Sequence, residues 1–295
     1  MITILDGGMG SELIRREVIP RGDLWSAQAL IDAPDSVLQV HRDYIAAGAE
    51  MIITNSYSTI PSYLGKLGLQ DRYEELTALA GSLARQAANE ADHAVQVAAS
   101  LPPLDESYRP DLAPEDAKAM PIYRALAQAL NPYADLFLCE TMSCIREAVN
   151  AASAAREIAG SQKPVYVSWT LAETPGTGLR SGESISDAVL ALARFDIGAY
   201  LFNCTSPEAI TQGLAELRTL TDRPMGAYPN RMSIPEGWTL DNEVSAGYRV
   251  DLDVAAYIDY ANRWTQDGAS FIGGCCGIGP EYIRALRDAH IRPTS

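Results

Sequence analysis

A short β-rich run, a polar or glycine-rich break and an amphipathic helical stretch recur along the chain until eight strands can be counted. Residues 2–5 lead through Asp6-Gly7-Gly8 into a helix over 11–16, and a helix over 36–47 precedes a strand at 51–54. The alternation continues with helix 72–91 and strand 95–99, helix 114–130 and strand 135–138, and helix 145–158 and strand 165–169. Helix 186–194 then leads to strand 200–202, helix 208–220 to strand 225–228, and helix 253–267 to a last strand ending near Ile272 and a helix over 280–289. Such alternation demands right-handed crossovers and a parallel sheet. Eight units in about 250 residues or more predict an α/β fold, a (β/α)8 TIM barrel, with residues 1–295 as a single domain. An open doubly wound sheet would bring fewer strands and a nucleotide fingerprint, and neither G-x-G-x-x-G nor G-x-x-x-x-G-K-[ST] follows any strand.

A barrel gathers its chemistry where strands end. Asp6, Gly7 and Gly8 follow the first strand, and Asn55, Ser56 and Tyr57 the second. Cys139, Glu140 and Thr141 follow the fourth, Asn203, Cys204 and Thr205 the sixth, Pro229, Asn230 and Arg231 the seventh, and Cys275 and Cys276 the eighth. Cys204 stands far upstream of the cysteine pair, but only one strand separates the two, so three cysteines converge on one mouth. Cys275 and Cys276 are poorly placed to bond each other, because neighbouring Cα atoms lie about 3.8 Å apart while disulfides prefer about 4.4–6.8 Å. Both can face one soft metal ion, and Gly273, Gly274 and Gly277 remove Cβ bulk and permit positive φ around it. Three thiolates with one vacant position suit a catalytic zinc, since a structural site would be closed by a fourth protein ligand. Such a site is suited to holding a substrate sulfur as thiolate for attack on carbon, which points to thiol alkylation.

Composition narrows the partners. With 23 Lys+Arg against 38 Asp+Glu and a formal charge of −15, neither nucleic acid nor an anionic membrane is expected to bind. The opening residues lack a basic leader and no run approaches about 18 apolar residues, so a cytoplasmic protein is expected. Five cysteines, an odd number, look unlike a disulfide framework, and a reducing compartment keeps thiols available.

The motifs along the chain resemble the homocysteine S-methyltransferase family, zinc-dependent enzymes that include S-methylmethionine- and betaine-dependent members. They run from Leu5-Asp6-Gly7-Gly8-Met9-Gly10 through Thr54-Asn55-Ser56-Tyr57, Cys139-Glu140-Thr141, Leu179-Arg180-Ser181-Gly182-Glu183 and Asn203-Cys204 to Tyr228-Pro229-Asn230 and Gly273-Gly274-Cys275-Cys276-Gly277. The resemblance implies a (β/α)8 barrel, zinc (Zn2+) on Cys204, Cys275 and Cys276, and homocysteine sulfur on the zinc. It implies that Glu140 holds the substrate ammonium, that Asp6 lies across the mouth, and that Asn203 and the backbone at Gly7 and Gly8 position substrate or donor. The implied reaction moves a methyl group from S-methylmethionine, S-adenosylmethionine or betaine to homocysteine, giving methionine. Tyr57 or Trp238 would face the onium through cation–π contact.

After the third strand many members of the family carry glycine-rich chain, whereas here Pro102-Pro103 stiffen a loop reaching Tyr108, so the donor stays open. Cys139 and Cys144 read as buried small hydrophobes, and His41, His93 and His290 as packing or surface residues. Tyr257, Tyr260 and Trp264 fit helix packing or an oligomer contact, which leaves a homo-oligomer open. Rival readings are a methyltransferase for another thiol or selenol, a non-catalytic zinc/thiol-binding barrel, and a metal-free aldolase or isomerase. The last lacks a strand-end lysine, since Lys66, Lys118 and Lys163 lie elsewhere.

Overall fold

Strands that are apolar at nearly every position belong in a parallel sheet covered on both faces. The computed structural model, which describes residues 2–19, 24–232 and 247–289, places eight of them side by side. They are β1 (Thr3–Ile4), β2 (Met51–Ile53), β3 (Gln96–Leu101), β4 (Leu136–Met142), β5 (Val165–Trp169), β6 (Ala199–Asn203), β7 (Met225–Tyr228) and β8 (Ala269–Ile272). All neighbours pair in parallel, in the order β1-β8-β7-β6-β5-β4-β3-β2. A parallel bridge between Leu5 and Met51 joins the two ends, so the sheet closes into the expected barrel.

Alternation along the strands divides the apolar residues into two cores. Leu5, Met51, Ala98, Leu136, Leu138, Ala199, Leu201, Tyr228 and Phe271 pack together inside the barrel. Their sequence neighbours, among them Ile52, Val97, Ala99, Phe137, Cys139, Val165, Val167, Tyr200 and Phe202, pack outward with the helices. The next inward positions along β3, β4, β5 and β6 are Ser100, Glu140, Ser168 and Asn203, all buried. An apolar plug thus carries a polar layer at the C-terminal ends of the strands.

The helices start where the sequence supplies a cap. Ser184, Ser206 and Asp253 accept hydrogen bonds from the amides of Asp187, Ala209 and Ala256 at the starts of helices Ile185–Leu192, Pro207–Leu220 and Val254–Gln266. Helix Pro34–Ala47 ends on Gly48 at φ 118°, a left-handed closure suited to glycine. Among the described residues no helix is long and apolar enough to cross a membrane.

Most expected elements fall within one or two residues of their observed bounds, the usual uncertainty of helix ends. The fourth strand differs. It runs on to Met142 through a register irregularity between Cys139 and Met142, so Cys139, Glu140 and Thr141 lie within the strand rather than after it. Helices Ala27–Asp32 and Pro61–Gly65, six and five residues long, were not expected, because so short a segment displays little of a helical period.

Candidate active site

Backbone hydrogen bonds tie the loops after β1, β6, β7 and β8 into one rim. Gly274 N donates to Asp6 O (2.9 Å), Gly8 N to Ile278 O (3.1 Å), Cys275 N to Pro229 O (2.9 Å) and Arg231 N to Cys276 O (2.9 Å). Asn230 N donates to Thr205 O (3.0 Å), which brings the β6 end into the same rim. This rim holds three cysteine sulfurs: the Sγ atoms of Cys204, Cys275 and Cys276 all lie within 4.8 Å of one another, a group that could hold a metal ion. Cys204 and Cys275 are joined Sγ to Sγ, with Cα atoms 5.7 Å apart, while Cys276 is free. Joined, that pair has no thiolate to offer; reduction frees a set of three sulfurs on two strand ends. Cys204 adopts φ 54°, a left-handed backbone held by the bond from Cys204 N to Tyr228 O (3.4 Å) and by Thr170 Oγ1 donating to Cys204 O (3.2 Å). Burial pushes the Cys276 thiol up to about 12, helped by the charge of Glu140, so a cation is needed to make it a thiolate near neutrality.

The glycines expected to curl around the metal divide into two kinds. Only Gly277 takes positive φ (82°). Gly273 and Gly274 are required for close approach instead: an added Cβ would lie 2.4 Å from Leu5 Cβ at the first and meet the Ile278 side chain at the second. Gly8 serves the same purpose, since its Cβ would lie 2.6 Å from Cys275 O. Gly8→Ala is therefore expected to displace the cysteine turn. Competition with a chromogenic chelator should show metal affinity down about 10–100-fold, with far-UV circular dichroism unchanged.

Two acids face this rim. Asp6 is 2 % exposed; its Oδ2 accepts from Ile53 N (2.9 Å) and its Oδ1 has no partner among the described residues. Burial raises its pKa well above the usual range, and the nearby charge of Glu140 adds to this. Glu140 accepts from Ser100 Oγ at one oxygen and from Tyr228 OH (3.3 Å) at the other, and burial lifts its pKa to about 7. Two buried carboxylates with an unanswered oxygen between them call for a cation.

Asn203, expected at the substrate, is occupied by the fold. Its Oδ1 accepts from Thr141 N (2.9 Å) and Ser168 Oγ (2.7 Å), and its Nδ2 donates to Thr141 Oγ1 (2.8 Å). It thereby holds Thr141 at φ 60° and fixes the neighbouring Glu140. Asn230, by contrast, is fully buried, and among the described residues neither amide atom meets strict hydrogen-bond geometry, although the Tyr108 phenol is near enough to feel it. Its place between the Pro229 and Arg231 ties to the two cysteines makes it a site residue to which the sequence reading gave no role; only its strand-end position marked it.

The model of the homocysteine S-methyltransferase family matches residues 3–290. The chain belongs to this family. A homocysteine S-methyltransferase of Bacillus subtilis (strain 168) is 29% identical over 97% of this chain and 93% of its own length. One from Escherichia coli (strain K12) is 31% identical over 97% and 94%. The crystal structure of the E. coli homocysteine methyltransferase MmuM in its metallated form superposes with a TM-score of 0.81 at 30% identity, covering 98% of this chain and 96% of that one. In this methyltransferase family member the remaining cysteines stay away from the rim. Cys139 and Cys144 are buried, free thiols with pKa values raised by burial.

Other residues singled out in the sequence fall around the site or away from it. Tyr57 OH shares a hydrogen bond with Ser107 Oγ (2.7 Å), which draws the loop after β3 over the mouth. Glu183 caps helix Ile145–Ala159 by accepting from Ile145 N (2.9 Å). His41 is buried in the outer core with its pKa lowered to about 3, and His93 pairs with Asp92 at the surface. Tyr257 and Trp264 are buried within the helical layer. Trp238 and His290 lie outside the described residues.

Proposed function

We propose that this chain transfers a methyl group from a sulfonium or ammonium donor to the sulfur of homocysteine, giving methionine, with zinc held by Cys204, Cys275 and Cys276. One observation carries the reading. Three cysteine sulfurs cluster at the ends of β6 and β8, with no fourth His, Cys, Asp or Glu completing the group among the described residues, beside two buried acids that await a cation. The ligand set fits the metal, since three soft sulfurs leave a corner for a substrate sulfur. When bound, zinc supplies the positive charge that lets a thiol lose its proton near neutral pH.

The rest of the work belongs to the protein. Asp6 and Glu140 bind the substrate ammonium, and Tyr228 and Ser100 fix the Glu140 carboxylate for it. Asn203 positions Glu140 through Thr141. The loop carrying Ser107 and Tyr108 covers the mouth, where aromatic faces favour an onium and water is excluded. Transfer is a displacement at the methyl carbon: the sulfur pair forms the new C–S bond, and the old bond's electrons leave on the donor as a neutral thioether or amine. Alignment of three atoms is what the site contributes. A cytoplasmic setting accords with this reading, since a reducing compartment keeps the three cysteines as thiols.

The test is incubation of the metal-loaded protein with homocysteine and, in turn, S-methylmethionine, S-adenosylmethionine and betaine, with methionine read by mass spectrometry. Methionine from at least one donor, together with about one zinc per chain by elemental analysis, is expected. A folded, metal-loaded protein that makes none from any of the three would overturn the reading.

A further inference from the structure

We propose that Arg180 reads the carboxylate of the methyl donor, whose onium centre lies at the sulfur cluster. This deepens the function proposed above and rests on it. The loop after β3, which carries Pro102-Pro103, folds against the barrel. Leu104 is buried, Ser62 Oγ donates to Leu104 O (2.7 Å), Lys66 pairs with Glu106 (3.0 Å), and Ser107 meets Tyr57 (2.7 Å). These contacts hold Tyr108 at φ 65°, and Tyr108 and Cys276 both pack against Met232. An aromatic residue that this loop supplies therefore shares a neighbour with one of the three clustered cysteines.

On that ring stands Arg180, from the loop after β5, with its Cζ 4.9 Å from the ring centre. The Arg180 side chain is 11 % exposed, and one edge is anchored by Nη2 donating to Glu173 Oε1 (2.9 Å). Its Nε is buried and reaches no acceptor among the described residues. A guanidinium has donors and no acceptors, so a buried N–H without a partner is a cost that a ligand oxygen would remove. Carboxylates match its fork better than any neutral group. Arg231, a second cation near the rim, is engaged otherwise: its Nε donates to Arg249 O (3.1 Å) and its guanidinium lies near the rings of Tyr248 and Tyr282.

Charge then runs in one sense across the mouth. Asp6 and Glu140 form an acidic end for the acceptor's ammonium, the sulfur cluster follows, and Tyr108 separates it from the cationic Arg180. An onium gains little from the Arg180–Glu173 ion pair, whereas one placed against the sulfurs would be attracted. A donor with both charges is held at two points and aligned for displacement; a donor that is only a cation is held at one.

The experiment compares the zinc-loaded parent with Arg180→Gln and Arg180→Lys, using S-methylmethionine and its α-carboxamide, which keeps the sulfonium and loses the carboxylate. For the parent, kcat/KM should favour the acid over the amide by about 10–100-fold. In Arg180→Gln the KM for S-methylmethionine should rise by about that factor, the two donors should become nearly equal, and the KM for homocysteine should not move. Arg180→Lys should recover part of the preference. Equal slowing of both donors, or a preference that survives in Arg180→Gln, would overturn the assignment while leaving the methyltransferase reading intact. A parent that accepts neither donor, nor S-adenosylmethionine or betaine, would overturn both.

Discussion

Cys276→Ser is expected to empty the metal site and stop methyl transfer while the barrel stays folded. A serine hydroxyl is a hard, weakly acidic group, and exchanging it for one of three soft ligands leaves two sulfurs to hold the ion. Loss of a direct ligand should lower metal affinity by about two orders of magnitude or more, a larger effect than loss of an outer-sphere contact. Elemental analysis after dialysis should find well under about 0.1 metal per chain, against about one in the parent, and methionine formation should fall below about one part in a thousand. Cys276 is the informative member because it is free, whereas Cys204 and Cys275 are joined in the structure. Metal uptake should for the same reason require prior reduction. Cys139→Ser provides the contrast: Cys139 belongs to the outer core, so this variant should lose some stability and keep its metal. Retention of a full metal complement by Cys276→Ser would remove Cys276 from the ligand set.

The convergence of Cys204, Cys275 and Cys276 was legible in the sequence because the ends of β6 and β8 were, whereas Cys139 was also placed at a strand end and lies within β4. Strands β5 and β7 were bounded to the residue, since Pro164 and Pro224 precede them and Thr170 and Pro229 follow, and proline cannot continue a central ladder. The β4 end was misread for an instructive reason. The polar pair Glu140-Thr141 looks like a break, yet Glu140 is an inward position of a continuing strand, satisfied by Ser100 and Tyr228 from other strands. Partners so distant in sequence leave no local mark. The same holds for Asn203, whose side chain resembles a ligand group in the sequence and is held in the fold by Thr141 and Ser168, partners that leave no local mark. Conversely, Asn230 follows a proline and looks like a turn residue, and only its burial without a partner reveals it. Periodicity reports which face a residue takes; it does not report which groups meet there.

Asp6→Asn should make the free protein more stable and the enzyme much worse. The substitution keeps an oxygen to accept from Ile53 N and removes a buried charge whose other oxygen is unanswered and which faces Glu140. The sign follows from the direction of the shift. A carboxylate whose folded pKa is raised contributes its stability at low pH and loses it as pH rises through the folded value, so the buried Asp6 carboxyl opposes folding more at pH 8 than at pH 5. Relief of that opposition should raise Tm by about 2–6 °C at pH 8 and by less at pH 5. The methyl-transfer assay should move the other way. Truncating one partner of a buried charge pair costs about 2–5 kcal/mol, so kcat/KM for homocysteine should fall by about 30-fold or more, mostly through KM. Glu140 adds a pH signature, since burial places its pKa at about 7. The parent's KM for homocysteine should drop as pH rises through that value and Glu140 becomes available to the ammonium, and in Glu140→Gln the drop should vanish. If Asp6→Asn instead lowers Tm and leaves homocysteine use intact, Asp6 is only a cap for the turn that follows β1, and the cation site must lie elsewhere in the mouth.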